Sequence, residues 1–258
     1  RMVKESGGRD SVEFRREYMA EFITSEDDQI IPEFTAEMEK LVVKEWPRPA
    51  HYDTYVGMDV GFKDLTVALF GYWDFRASKL VIEDEVVMRG QKMTTDALAA
   101  AIKAKEVALY THPISLEVKP NYMRVSDNNL ILINDLYQQH KLLFMAAEKD
   151  DASSALNTVR IMMKSGQIII NPRCRTLILH LKNGVWAKNR KTFDRSPDMG
   201  HYDAIDALKY LCRTVQYAKN PYPYGYNFGG GEDVFHTKAY EEGKKHPLEK
   251  MFKFKRNR

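Results

Sequence analysis

Tyr55-Val56-Gly57-Met58-Asp59-Val60-Gly61, then Leu65-Thr66-Val67-Ala68-Leu69-Phe70-Gly71-Tyr72-Trp73, then Lys79-Leu80-Val81-Ile82-Glu83-Asp84-Glu85-Val86-Val87-Met88: these three runs decide the fold class. Each is rich in β-branched and aromatic residues, and the links at Gly61-Phe62-Lys63 and Phe75-Arg76-Ala77-Ser78 are short. Short links join antiparallel neighbours, so the runs predict a meander over 55–59, 65–73 and 79–88. After residue 94 helices and strands alternate. The spacing predicts helices over Thr95–Glu106 (capped by Thr94 or Thr95), Asn129–His140, Ser153–Ser165 (closed by Gly166), Arg175–Lys182 and His201–Tyr217. Between them it predicts strands at Met123–Ser126, Leu142–Ala147 (read as buried) and Ile168–Ile170. Three antiparallel strands followed by this alternation predict an α/β fold, a mixed sheet with helices on both faces.

The flanks read differently. Residues 1–50 hold an amphipathic stretch over Ser11–Phe22, a break at Glu26-Asp27-Asp28, and a second stretch from Pro32 to Val43 that ends at Pro47-Arg48-Pro49. The expectation is a lead-in that packs on something other than the main domain, which occupies 51–218. Residues 219–258 are first rich in Pro, Gly and Tyr and then basic, which predicts a mobile tail or one ordered by a partner. Since the chain opens on Arg1, further sequence is expected before it. With 44% hydrophobic and 29% charged residues the chain is globular, and no apolar run approaches the ~18 residues of a spanning helix. Two cysteines, Cys174 and Cys212, are too few for a disulfide framework or a Cys-rich zinc site. Both read as buried small hydrophobes in a reducing cytosol.

Net charge is only +3, but it is unevenly spread. Residues 156–195 carry nine basic groups against the single Asp194, while residues 1–155 are net acidic. Such a local excess predicts a surface for a polyanion. Its candidates are Arg160 and Lys164 on one helix, Arg173 and Arg175 around Cys174, and Lys188, Arg190, Lys191 and Arg195 about a hairpin after Trp186. Phosphate contacts from such groups give affinity without reading sequence.

Acidic residues stand where the strands end. Asp59 closes the first strand, in a central apolar setting where an unpaired carboxylate costs several kcal/mol. Asp127 directly follows Met123–Ser126; a parallel arrangement with the first strand brings both acids to one sheet edge. Asp135, mid-helix, is the poorer alternative. Asp203 and Asp206, at i and i+3, share one side of the last helix. Clustered carboxylates with no His/Cys set select Mg²⁺ or Mn²⁺, and two such ions can activate water and stabilise the leaving oxygen of a phosphodiester. Taken singly, each acid reads as easily as a turn or helix-start residue. His201, beside Asp203, is a candidate supporting group or proton shuttle, equally readable as a packed histidine.

Gly57-Met58-Asp59-Val60-Gly61, with Asp64 close behind, resembles the opening of ribonuclease H-like nucleases. The block from Ala152 to Arg213 resembles more specifically the large terminase subunit of tailed bacteriophages. Its carriers are Ala155-Leu156-Asn157, Arg160, Gly166, Ile170-Asn171-Pro172-Arg173-Cys174, Trp186 and Gly200-His201-Tyr202-Asp203-Ala204-Ile205-Asp206-Ala207-Leu208. Phe14-Arg15-Arg16-Glu17-Tyr18 to Ile31-Pro32-Glu33-Phe34 resembles the segment joining that family's ATPase to its nuclease. The resemblance implies a metal-dependent endonuclease that cuts concatemeric viral DNA during packaging. It implies a metal-binding triad of Asp59, Asp127 and Asp203, with Asp64 or Asp206 as a fourth ligand. Implied partners are double-stranded DNA, a portal protein, a small terminase subunit and an ATPase domain. The implied location is the cytoplasm of the infected bacterium, transiently at the procapsid portal. No G-x-x-x-x-G-K-[ST] run occurs, so no ATPase activity is expected from these residues. Where many relatives carry two adjacent aspartates, this chain has Tyr202-Asp203. A resolvase, an integrase-like recombinase and a non-cleaving assembly module are the alternatives.

Overall fold

Residues 28–61, 65–89, 93–112, 114–148, 151–188, 192–195 and 201–222 are described by the structure, a computed structural model. The three β-rich runs form the meander they predict: β1 (Thr54–Asp59), β2 (Leu65–Asp74) and β3 (Lys79–Arg89) pair antiparallel in that order. β4 (Met123–Ser126) lies parallel to β1, with Gly57 opposite Val125 and Met58 opposite Ser126. Outside it β5 (Met145–Ala146) is parallel to β4, and at the far edge β6 (Ile168–Ile170) is parallel to β3. The sheet order is β5-β4-β1-β2-β3-β6.

Six helices complete the described chain: α1 (Ala36–Val42), α2 (Thr95–Tyr110), α3 (Leu130–His140), α4 (Ala152–Lys164), α5 (Arg175–Asn183) and α6 (Asp203–Thr214). Several start on a side-chain cap, Thr94 being one that the sequence names, while α5 and α6 have none. Thr94 accepts from the Ala97 N–H at 3.1 Å, Asn129 from Leu132 at 3.1 Å and Asp151 from Ser154 at 2.8 Å. Gly166, at φ +61°, follows the end of α4. Alternation along the strands divides the core. Val56, Met58, Ala68 and Phe70 meet α2 and α3 on one face, while Tyr55, Val67, Leu69 and Ile82 meet α4, α5 and α6 on the other. This is the α/β ribonuclease H-like architecture, with helices on both faces.

Several details differ from the sequence reading. Leu142–Ala147 is not a buried strand: Leu142 and Phe144 are buried, Leu143 and Met145 are more than half exposed, and only Met145–Ala146 pair. The run occupies the sheet edge, where one side faces solvent. α2 continues past Glu106 to Tyr110, whose buried ring lies under the Arg48 guanidinium. From residue 28 the lead-in packs on the main core, contributing Ile30, Ile31, Phe34 and Val42, and Lys44 N–H bonds the Ile170 carbonyl at 3.0 Å. The first residues of the tail are tied down too, Lys219 to Asp53 at 2.6 Å and Tyr222 to Tyr52 at 3.0 Å. The helix expected over Ser11–Phe22 and the tail from 223 lie outside the described residues. Cys174 and Cys212 are buried, and burial pushes the Cys212 thiol up to about 12. No described helix is long and apolar enough to cross a membrane.

Candidate active site

Gly57 sets how close α6 comes to the sheet. A Cβ there would stand 2.6 Å from the Ala207 carbonyl oxygen and 2.8 Å from Leu211 Cβ, so any larger residue would push the helix away. Ala204, Ala207, Leu208 and Leu211 form the face that α6 buries. The N-terminal end of α6 is fixed by α5: His180, 1% exposed, accepts from the Ala204 N–H through Nδ1 at 3.2 Å. Tyr202 precedes the helix at φ +60° and buries its ring, 5.5 Å from that of His180. Tyr202, where the resemblance implies a second aspartate, is therefore a core side chain.

This crossing brings four carboxylates together. Asp59 ends β1 on the face that α6 covers, because it shares the parity of Tyr55 and Gly57. Asp127 follows β4, its N–H donating to the Met58 carbonyl at 3.2 Å. Asp203, 4% exposed, accepts from the Leu65 N–H at 3.2 Å, and Asp206 lies one turn further along α6. Burial, then the charges of Asp206, Asp203 and Asp127, push the Asp59 carboxyl up to about 8, with Lys209 partly opposing them. Tyr210 hydrogen-bonds Asp59; burial first, then the charges of Asp59, Asp206 and Asp127, raise its hydroxyl far above the usual phenol range. Lys209 forms an ion pair with Asp206.

Asp127 is thus the strand-end acid that acts on Asp59. Asp135 sits within α3 and accepts from Gln139 at 2.7 Å. Asp64, Arg190 and Lys191 lie outside the described residues. The expected hairpin is present: Trp186 bridges Phe193, Ala187 N–H bonds the Thr192 carbonyl at 2.9 Å and Asp194 N–H bonds Val185 at 2.8 Å. It stands beside the N-terminal end of α6, with Phe193 against Trp186 at 5.3 Å and against His201 at 6.0 Å. Lys188 and Arg195, at its two limbs, are exposed. Lys164 and Arg175 are exposed as well, on α4 and at the start of α5. Two of the basic candidates have internal work. Arg160 binds both oxygens of Glu33 at 2.9 and 3.0 Å, tying α4 to the lead-in, and Arg173 bonds Asn171 at 3.1 Å while keeping 59% of its side chain exposed.

Sequence reasoning missed Lys209, Tyr210 and His180. The first two had a signal: Asp206, Lys209 and Tyr210 follow i, i+3, i+4 spacing and so share one side of the helix. His180 had none, since a histidine inside an amphipathic helix gives no sign of which main-chain group it will meet.

All the acids offer hard oxygen donors, the chemistry of Mg²⁺ or Mn²⁺, and burial with their crowding raises Asp59. Among the described residues, no three His, Cys, Asp or Glu side chains are grouped so as to hold one ion together. The chemistry of the donor set fits a divalent ion.

No protein-family profile matches the sequence, and no curated protein matches it. Solved structures do. The large terminase of a thermophilic bacteriophage, in complex with ADP, superposes with a TM-score of 0.58 at 18% identity, over 80% of this chain and 49% of that one. The same protein in complex with ATP-gamma-S gives 0.56 at 20% identity, over 83% and 52%. The P22 large terminase nuclease domain gives 0.54 at 14% identity, over 70% of this chain and 89% of that domain. The chain spans about half the length of the thermophilic phage protein and most of the isolated P22 domain. Its fold is that of the large terminase nuclease domains.

Proposed function

We propose that this chain is a divalent-metal-dependent DNA endonuclease, the nuclease part of a large terminase that cuts concatemeric viral DNA during genome packaging. The observation that carries the reading is the cluster itself: carboxylates from β1, the β4 end and α6 converge, and burial with their mutual charge raises Asp59. The shared fold and the basic hairpin beside the cluster support it. Asp59, Asp127 and Asp203 are the proposed ligands, with Asp206 or Asp64 as the fourth. Ions held there, Mg²⁺ or Mn²⁺ and two in number, would supply an activated water and stabilise the leaving 3′ oxygen. The chain's own residues do the rest. Leu65 N–H holds the Asp203 carboxylate, Tyr210 holds Asp59, and Lys188, Arg190, Lys191 and Arg195 bind phosphates flanking the cut. Lys164, Arg173 and Arg175 extend that surface; Arg160, paired with Glu33, contributes least.

Residues 51–218 would form the nuclease domain, which would act with a preceding ATPase, a portal protein and a small terminase subunit in the infected cell. ATP hydrolysis would fall to that ATPase rather than to these residues. Incubation with supercoiled plasmid and Mn²⁺, Mg²⁺ or chelator tests the reading. Cleavage with metal alone supports it; binding without cleavage under every condition would replace it with an assembly module.

A further inference from the structure

Lys209 stands inside a nest of acids. Its side chain is 12% exposed, and its ammonium is tied to Asp206, itself 19% exposed. The same nitrogen lies 5.2 Å from the centre of the Phe193 ring, so it is gripped between a carboxylate and an aromatic face. An ordinary i, i+3 pair on a helix surface is solvated and contributes little. This one is largely withdrawn from water, and its charge also reaches Asp59.

We propose that Lys209 is a built-in counter-cation that holds Asp206 in the metal-free protein and competes with the divalent ion for the acidic site. The inference rests on the reading of this cluster as a metal centre. The physical argument is one of exclusion. Asp206 contributes the largest of the three carboxylate charges felt by Asp59, so an ion bound near Asp59 is drawn toward Asp206 as well. A doubly charged ion and a largely buried ammonium repel one another, and both cannot sit on the same carboxylate. Asp206 is therefore either the partner of Lys209 or a ligand. Lys209 has somewhere to go, because a long aliphatic stem can swing its head off the Phe193 face and out to water. Lys209 is a positioning residue: it acts through Asp206, and it offsets the mutual repulsion of the acids when no metal is bound.

The test uses the whole chain without DNA. Mn²⁺ is titrated into wild type, Lys209→Met and Lys209→Arg, with free Mn²⁺ read by its paramagnetic resonance signal, and melting is followed in chelator. Removing an opposing charge at this range shifts the affinity of a carboxylate for its cation by roughly tenfold. Lys209→Met should bind Mn²⁺ about tenfold more tightly while melting lower in chelator, and Lys209→Arg should resemble wild type. Equal or weaker Mn²⁺ binding by Lys209→Met overturns the proposal and leaves the metal centre standing, since a purely structural or DNA-contacting lysine gives that result. If neither wild type nor Lys209→Met takes up Mn²⁺, the metal reading falls and the proposal with it. Uptake by the variant alone is the strongest support. Lys209→Gln, which keeps a polar head and removes only the charge, serves if Lys209→Met does not melt cooperatively.

Discussion

Glu106 on α2 and Asp59 at the end of β1 are both carboxylates largely withdrawn from water, and they keep different company. Glu106, 8% exposed, receives two bonds from Arg124 of β4 at 2.6 and 2.8 Å. Along β3, Glu83 is matched by Arg48 at 3.0 and 3.1 Å, and Glu85 accepts the Thr176 and Leu177 N–H groups at the start of α5. In each case one acid has one cation or one set of donors. Asp59 has three acids near it and one lysine, which is itself engaged with Asp206. Acids that serve the fold are satisfied within it. The acids around Asp59 crowd one another, and their charges, after burial, raise its carboxyl.

The widest separation between the two regions should appear in catalysis. Asp203→Ala should abolish metal-dependent nicking of plasmid, because Asp203 is nearly buried and held toward β2 by the Leu65 N–H. Asp206→Ala should leave measurable activity with a changed Mn²⁺ requirement. A dead Asp206→Ala beside an active Asp203→Ala would put the ligand on the wrong turn of α6. Neither Glu106→Gln nor Arg124→Met should alter the metal requirement of whatever folded protein remains.

Stability should divide them in the opposite sense. Arg124→Met leaves the Glu106 carboxylate buried without its partner, which costs about 3–5 kcal/mol. Asp59→Asn stands in for the protonated acid without the cost of taking up that proton on folding, so the metal-free protein should be as stable as wild type or more so. Denaturant unfolding in chelator measures both. A destabilised Asp59→Asn would mean that Asp59 is a structural acid like Glu106.

Much of this was legible in the sequence, and the parts that were not share a cause. The meander, the parallel position of Met123–Ser126 and the convergence of Asp59, Asp127, Asp203 and Asp206 follow from periodicity, link length and strand ends. Leu142–Ala147 misled because an apolar run looks alike at the centre and at the edge of a sheet; only the neighbours decide. Arg160 read as a free cation because its partner, Glu33, lies 127 residues away, in a segment assigned to other contacts. Lys209 belongs to both groups. Its spacing from Asp206 is visible in sequence, but its burial against Phe193 depends on a hairpin that folds back from a distance.

The pH dependence of the metal-free protein sharpens the contrast further. Asp59 binds its proton up to about pH 8 in the folded chain, whereas an unfolded aspartate releases it near ~3.9. Below about pH 4 both states are protonated, and stability no longer varies with this group. Between the two values the folded state holds a proton that the unfolded state has lost, so stability should fall as pH rises from about 4 to about 8 and level off above. Each tenfold difference in proton affinity is worth about 1.4 kcal/mol. In Asp59→Asn this fall should largely disappear. The comparison is made by denaturant titration in chelator at several pH values. An unchanged slope would mean that the charge around Asp59 is already balanced.

The smallest expected effect concerns the basic surface, where the same distinction between engaged and available charge applies. Lys188 is exposed on the hairpin beside the cluster, while Arg160 holds both oxygens of Glu33 in a contact within the fold. A lysine that meets a DNA phosphate releases a condensed counterion on binding, and losing it lowers the slope of log affinity against log salt by about 0.9. Lys188→Ala should show that reduction with little change in melting. Arg160→Ala should leave the slope unchanged and lower the melting temperature instead, because the lead-in loses its tie to α4. The measurement is binding of duplex DNA across a range of salt, with Ca²⁺ in place of Mg²⁺ so that binding is read apart from cutting. Equal slopes in wild type and Lys188→Ala would make the hairpin a solvated face rather than a phosphate contact, and a reduced slope in Arg160→Ala would show that its pairing with Glu33 yields to DNA.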